Sequence, residues 1–111
     1  MDGIRVALVE DHDLTRAGLR VALQQSREVE MVGEAPNGVE GLKLLETTLP
    51  DVAIVDIGLP GIDGIELTRR FKQFLHDSED PERGKTKVLM LTMQDNEEAV
   101  LAAFAAGADS Y

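Results

Sequence analysis

The sequence contains no cysteine, which excludes disulfide bonds and metal sites built on thiolates. No apolar run approaches the roughly 20 residues that a membrane-spanning helix needs. The first residues lead directly into a predicted strand, with no signal peptide before it. We therefore expect a cytoplasmic protein that has no membrane partner.

Basic residues are scarce, because 11 lysines and arginines stand against 21 aspartates and glutamates, and the formal net charge is -10. An acidic surface repels the phosphates of nucleic acids, so we expect that this segment does not bind DNA by itself. Cations and basic partner surfaces fit it better. The 111 residues, of which 43% are hydrophobic, suffice for one compact domain and are too few for two.

The chain is organised around a short apolar stretch that ends in a carboxylate. Residues 52–55 are apolar and rich in β-branched side chains, which is typical of a strand buried on both faces. Asp56 follows directly, and Gly58, Pro60 and Gly61 then impose a turn. In parallel α/β sheets the carboxyl ends of the strands form the edge where ligands bind, so Asp56 is expected at that edge.

The rest of the chain alternates between strand and helix patterns. Further strands are predicted over Ile4 to Val9, Val29 to Ala35 and Lys87 to Thr92, and a fifth begins within 108–111. Helices are predicted after the N-cap Asp13, after Asn37, after the cap Asp63, and over 97–106, where Gly107 ends the last one. The polar segment 76–86 is interpreted as a surface loop.

Strands that alternate with helices predict βαβ units and a parallel sheet. Right-handed crossovers then cover both faces of the sheet with helices. We expect an α/β, doubly wound, flavodoxin-like fold with strand order 2-1-3-4-5, in which strands one and three are neighbours.

That strand order brings acidic side chains from separate segments together. Glu10 and Asp11 follow the first strand, and Asp56 ends the third. Three carboxylates in one cleft repel each other unless a cation neutralises them. Oxygen ligands without cysteine favour a hard ion, Mg²⁺ or Mn²⁺, held by Asp11, Asp56 and the Gly58 carbonyl, with Glu10 acting through water. His12 is interpreted as a surface residue without a role.

Thr92 ends the next strand, so its hydroxyl is expected to face the same cleft. A carboxylate, a divalent ion and a hydroxyl donor together form a site for a phosphoryl group on Asp56, since carboxylates do form aspartyl phosphates. Taken singly, Asp56 could be a turn residue and Thr92 an ordinary strand-end threonine. The glycines at 58, 61 and 64 do not match a dinucleotide-binding loop, and no Walker pattern is present.

At these residues the chain resembles the receiver domain of bacterial two-component response regulators, a CheY-like fold. The resemblance covers all 111 residues and depends on four segments: Val9-Glu10-Asp11-His12, 55–64, Leu91-Thr92-Met93 and 106–111. Arg16-Ala17-Gly18-Leu19, Gly33-Glu34-Ala35 and Asn37-Gly38 are most similar to the NarL/FixJ subfamily, whose receivers precede a LuxR-type helix-turn-helix.

The resemblance implies that a sensor histidine kinase phosphorylates Asp56 and that Glu10 and Asp11 hold Mg²⁺. It implies Thr92 as the switch hydroxyl and Tyr111 as the aromatic residue that changes rotamer with it. The domain then catalyses its own phosphorylation and dephosphorylation rather than acting as an enzyme on other substrates. The resemblance also implies a homodimer on phosphorylation, and contact with DNA only through a C-terminal domain absent from this sequence.

Two features depart from the family pattern. The family carries a lysine a few residues beyond the aromatic position, whereas this sequence stops at Tyr111 with strand five and helix five truncated. We therefore expect 1–111 to be a C-terminally incomplete receiver domain from a longer chain, with an open edge on the Lys87 to Thr92 strand. The 76–86 loop is also longer than the family's.

Other functions remain open at this stage. A phosphorylation-independent binding domain of the same fold is one alternative. A Mg²⁺-dependent aspartyl phosphohydrolase is another, but Gly58 stands where such enzymes carry a second aspartate. A flavin-binding protein needs a hydroxyl-rich phosphate loop where this chain has residues 10–13. Within the phosphoacceptor hypothesis, the Gln94 amide is expected to orient a water during hydrolysis.

Overall fold

The computed structural model of the chain describes residues 3–78, 85–91 and 105–109. Four strands and three helices alternate along these residues. The strands are β1 (Ile4–Val9), β2 (Val29–Ala35), β3 (Val52–Asp56) and β4 (Lys87–Leu91). The helices are α1 (Asp13–Gln24), α2 (Gly38–Thr48) and α3 (Gly64–Asp77). Within this part of the chain, no helix has the length and hydropathy needed to cross a membrane.

The sheet is parallel, and the described strands have the order β2-β1-β3-β4. This confirms the predicted order and places β1 beside β3, with Val9 opposite Val55. In the neighbouring pair of strands, β3 and β4, Asp56 lies opposite Leu91. The carboxyl ends of β1, β3 and β4 therefore meet at one edge.

Side chains alternate between the two faces of the sheet, because successive residues of a strand point in opposite directions. One face packs under α2 and α3, where the buried Leu45, Leu67 and Phe71 contact Val9 and Val55 of the strands. On the other face, α1 covers a smaller apolar cluster built on the following strand residues: Val6, Leu8 and Ile54.

Two helices begin directly after the predicted residue, and one begins a residue early. Asn37 and Asp63 accept hydrogen bonds from the backbone N–H three residues on, as caps of α2 and α3. The predicted cap Asp13 is wrong, because His12 is the N-cap and Asp13 is the first helical residue. The Asp13 carboxylate binds the Arg16 guanidinium instead, at 2.7 Å between Oδ1 and Nη2.

The predicted surface loop 76–86 is also too long at both ends. The apolar face of α3 continues through buried Leu75, and Gln73 donates to Asp77, so the last polar turn remains helical. At the other end Thr86 is buried and its hydroxyl donates to the Pro50 carbonyl. Residues 79–84 lie outside the described residues.

The last described segment, 105–109, returns the chain to β4. Gly107 has φ 109°, a left-handed conformation that suits the residue predicted to end a helix. The Asp109 N–H then donates to the Val88 carbonyl at 3.0 Å, so the β4 edge is paired at Val88 where a fifth strand was predicted to start. Most of the predicted helix, 97–104, lies outside the described residues.

Candidate functional site

Three acidic side chains meet at the carboxyl edge of the sheet. Asp56 is the last residue of β3, and Glu10 directly follows β1, where its N–H donates to the Ala35 carbonyl at 3.1 Å. One ligand atom from each of Glu10, Asp11, His12 and Asp56 lies within 4.8 Å of the others. The structure therefore brings together the acids that the strand order predicted.

These carboxylates are largely withdrawn from solvent. Glu10 is 4% exposed and Asp56 is 8% exposed. Asp11 is half-buried, and its Oδ1 atom is inaccessible and accepts no well-formed hydrogen bond from the described residues, although His12 Nδ1 lies 3.2 Å away. A buried carboxylate oxygen that accepts no hydrogen bond is costly, so this atom indicates that the site is shaped for a cation.

The environment of Asp56 disfavours its charged form. Burial raises the pKa of the Asp56 carboxyl to about 6, and the neighbouring charges of Glu10 and Asp11 raise it as well. The Gly58 N–H, which donates to Asp56 Oδ1 at 3.1 Å, acts in the opposite direction. At neutral pH, Asp56 is therefore mostly ionised but poorly compensated by the protein itself.

His12 contacts the acids, although the sequence analysis assigned it no role. Its ring is exposed, but Nδ1 lies 2.9 Å from Glu10 Oε1 and 3.2 Å from Asp11 Oδ1. The hydrogen bond with Glu10 is the largest cause that raises the pKa of His12, followed by the charge of Asp11. In the sequence, the position of His12 directly after Glu10 and Asp11 could have indicated this contact.

The donor set fits a hard divalent ion such as Mg²⁺. Carboxylate oxygens come from Glu10, Asp11 and Asp56, and one buried Asp11 oxygen accepts no well-formed hydrogen bond from the described residues. Mg²⁺ takes one or two carboxylates in addition to carbonyls and waters. Gly58, whose carbonyl was predicted as a ligand, is exposed beside Asp56, and sequence reasoning missed that its N–H orients the acid.

The loop after Asp56 is held against the backbone of that residue. Gly64, the first residue of α3, donates its N–H to the Ile57 carbonyl at 2.9 Å. A Cβ atom at Gly64 would clash with the carbonyl oxygen of Asp56. Only glycine therefore lets α3 begin this close to Asp56. The hydrogen bond between Gly64 and Ile57 closes the loop 57–63.

Three predicted site residues, Thr92, Gln94 and Tyr111, lie outside the described residues. The residue before Thr92 is placed, since the Leu91 carbonyl accepts a hydrogen bond from the Ile57 N–H at 3.0 Å. This bond shows that the end of β4 lies beside the residue that follows Asp56.

Arg16 was part of the subfamily resemblance, but its contact with the acidic loop was not predicted from the sequence. Its guanidinium Nη1 donates to the carbonyl oxygen of Glu10 at 2.8 Å, so a residue of α1 contacts the acidic loop. The available signal was weak, because Arg16 is simply the first basic residue after the acidic run 10–13. Its helical position does not reveal which acceptor it reaches.

Comparisons with known proteins agree with this geometry. The family model described as response regulator receiver domain matches residues 6–111. The transcriptional regulatory protein LiaR of Bacillus subtilis (strain 168) is 38% identical over 97% of this chain and 47% of its own length. The response regulator UvrY of Escherichia coli (strain K12) is 35% identical over 97% of this chain and 46% of its own. The chain thus spans about half the length of these curated relatives.

Solved structures show the same fold. The signal receiver domain of NarL from Mycobacterium tuberculosis superposes with a TM-score of 0.87 at 34% identity, over 99% of this chain and 82% of that one. A LuxR-family two-component response regulator from Aurantimonas sp. SI85-9A1 gives 0.86 at 34% identity, over 99% and 73%. The chain therefore belongs to the response regulator receiver domain family, with its relatives among the NarL and LuxR-type regulators.

Proposed function

We propose that residues 1–111 form a phosphoacceptor switch in which Asp56 takes a phosphoryl group from a sensor histidine kinase. The observation that carries this proposal is the convergence of Glu10, Asp11 and Asp56 within 4.8 Å at the carboxyl edge of the sheet. Such a cluster is electrostatically unfavourable for folding by itself, which supports a role in binding and chemistry.

The reaction is a phosphoryl transfer between two side chains. An Asp56 carboxylate oxygen attacks the phosphorus of a phosphohistidine, a P–O bond forms, and the P–N bond breaks with release of the kinase imidazole. The Gly58 N–H orients the Asp56 carboxylate for this attack, with 3.1 Å between nitrogen and Oδ1. Positioning and charge neutralisation account for most of the catalysis in such transfers.

Mg²⁺ is the proposed cofactor, and Mn²⁺ has compatible chemistry. Asp11, Asp56 and the Gly58 carbonyl would hold the ion, with Glu10 acting through water. When bound, the ion would offset the negative charge of the carboxylates and of the phosphoryl oxygens.

The remaining roles follow from the family. Thr92 is proposed as the switch hydroxyl that hydrogen-bonds the phosphoryl group, and Tyr111 as the aromatic residue that moves with it. Gln94 is proposed to orient the water that hydrolyses the phosphoaspartate. Support comes from the position of Leu91, because the chain reaches Thr92 directly from a strand that ends beside Asp56.

The proposed output is transcription. LiaR is named a transcriptional regulatory protein, and this chain covers about half of it. We propose that a C-terminal DNA-binding domain carries the output, that phosphorylation favours a homodimer, and that the protein acts in the cytoplasm. The acidic receiver itself, with a net charge of -10, is not expected to touch DNA.

The test uses the full-length protein with Mg²⁺ and acetyl phosphate, followed by intact-mass measurement. We expect one added phosphoryl group per chain. This mass increase should not appear when a chelator removes Mg²⁺ before acetyl phosphate is added, and it should be absent in Asp56→Asn. Asp63→Asn is the matched control, since Asp63 caps α3 outside the cluster. Equal phosphate on Asp56→Asn would reject the proposal, and repeated turnover of phosphate esters would favour the phosphohydrolase instead.

A further inference from the structure

The β1–α1 turn carries two of the three acids, yet it has only three residues between the strand and the helix. The Glu10 N–H is bonded to β2 through the Ala35 carbonyl at 3.1 Å. The Glu10 carbonyl, like every backbone carbonyl withdrawn from water, needs a donor of its own. The direction of this carbonyl determines the orientation of the peptide that leads into Asp11.

Arg16 supplies that donor. Its Nη1 atom donates to the Glu10 carbonyl oxygen at 2.8 Å, and its side chain is only 20% exposed. Nη2 lies 2.7 Å from Asp13 Oδ1, and Nε lies 3.5 Å from Glu34 Oε1. One planar guanidinium thus joins the end of β1, the first residue of α1 and strand β2.

We propose that Arg16 is a positioning residue for the metal-binding acids, which acts by holding the Glu10–Asp11 peptide in the orientation that directs both carboxylates into the site. The inference depends on the proposed function for its Mg²⁺ ligand set. It assigns Arg16 no contact with the ion or with the phosphoryl group.

The contacts of Arg16 favour a role in positioning the Glu10–Asp11 peptide over a role of its charge at the metal site. Arg16 touches the backbone of Glu10, and the carboxylates within its reach are those of Asp13 and Glu34, outside the metal-ligand set. A positive charge near a cation site lowers its affinity for Mg²⁺, so removing the charge alone would tighten binding. Loss of positioning has the opposite sign, which makes the two effects separable.

Arg20 provides a matched control on the same helix. It lies one turn beyond Arg16 and donates through Nη1 to both oxygens of Glu34 at 3.1 Å. It therefore shares the β2 carboxylate and the charge of Arg16, but its contact is with β2 rather than with the acidic turn. Substituting each arginine in turn separates the carbonyl contact from a general charge effect.

The experiment measures Mg²⁺ affinity of the full-length, unphosphorylated protein by isothermal titration calorimetry. We expect Arg16→Gln to weaken binding about tenfold, or about 1.4 kcal/mol, as other supporting residues of metal sites do. Arg20→Gln is expected to stay within about twofold of the wild type. Amide hydrogen exchange over 10–12, measured without metal, is expected to rise in Arg16→Gln alone.

Arg16→Lys keeps the fold and the charge but cannot reach all three acceptors with one ammonium. We expect it to weaken Mg²⁺ binding as well, which a purely electrostatic role would not produce. Unchanged or tighter binding in the Arg16 variants, or equal weakening in Arg20→Gln, would overturn the inference. Failure of the proposed function is a separate result, because it appears as a wild-type protein that binds Mg²⁺ but takes up no phosphate.

Discussion

Asp56 lies at the carboxyl end of β3, whereas Asp109 lies beside Val88 near the amino end of β4. The surroundings of these two aspartates shift their pKa values in opposite directions. Burial raises the pKa of Asp56 to about 6, and Glu10 and Asp11 raise it as well. Burial also acts to raise the pKa of Asp109, but Lys72, the Val88 N–H and Lys87 together lower it below its ordinary value.

The contacts of Asp109 explain this difference. Its Oδ2 atom lies 2.6 Å from Lys72 Nζ and accepts the Val88 N–H at 2.9 Å. Lys72 also donates to the Thr86 carbonyl at 3.1 Å. The charge of Asp109 is therefore compensated within the protein, and it links α3 to the start of β4.

Within the part of the chain that the structure describes, Asp56 has no such cation among the groups that set its pKa, which are Gly58, Glu10 and Asp11. A compensated acid stabilises the fold, whereas an acid kept among other acids costs stability and remains available for a ligand. The comparison therefore separates a structural aspartate from a functional one by their partners.

The largest expected effect is on phosphate uptake. Asp56→Asn is expected to abolish labelling by acetyl phosphate. Asp109→Asn is expected to retain it, because Asp109 lies near the amino end of β4 and the acidic cluster lies at the carboxyl ends of the strands. Intact-mass measurement after equal incubation checks both variants. Loss of labelling in a folded Asp109→Asn protein would contradict the separation of roles.

Mg²⁺ is expected to stabilise the wild type, since ligand binding to the folded state alone adds about 2.7 kcal/mol at 100 times the dissociation constant. Thermal unfolding with and without Mg²⁺ measures this gain. Asp109→Asn is expected to show the same gain as the wild type, and Asp56→Asn a smaller one. An equal gain in Asp56→Asn would place the ion elsewhere.

Without metal, Asp56→Asn is expected to have a free energy of unfolding roughly 3 kcal/mol higher than the wild type at pH 7, at about 1.36 kcal/mol per pKa unit. The folded pKa of about 6 lies above the unfolded value of about 3.9, so the folded wild type binds more protons between them. The cost is complete above pH 6 and disappears as pH falls towards 4. Urea unfolding in chelator at pH 7 and pH 4 checks the sign.

Asp109→Asn is expected to lower the free energy of unfolding by about 1 kcal/mol at pH 7, because a charge-assisted hydrogen bond to Lys72 is lost. The folded pKa is lowered, so this stability is present above the unfolded pKa of about 3.9 and is lost as pH falls through the folded pKa. The same urea series measures it. In a double-mutant cycle with Lys72→Met, the two effects are expected to be less than additive.

Much of the site could be predicted because it depends on strand pattern and order. Apolar runs located β1 and β3, and parallel pairing then brought Glu10, Asp11 and Asp56 to one edge, as the structure confirms. The caps Asn37 and Asp63 were equally accessible, since a cap bonds to a backbone N–H three residues away.

The boundaries and the long-range polar contacts were not accessible in the same way. Asp13 has the residue type of a cap, yet Arg16 competes for its carboxylate and His12 occupies the cap position. The polar end of α3 looked like a loop, but packing of Leu75 kept it helical. Local preference was overridden in both cases by a partner that the chain brings close only on folding.

The order of apolar and polar residues is enough to establish a parallel α/β sheet with acids at the carboxyl ends of adjacent strands, because period and spacing are local properties. The partners of each charge are decided by packing. With 21 acidic and 11 basic residues, the chain alone does not say that Lys72 pairs with Asp109, 37 residues away, or that Arg16 binds the Glu10 carbonyl. Those contacts depend on distances of a few ångströms that exist only once the helices pack against the sheet.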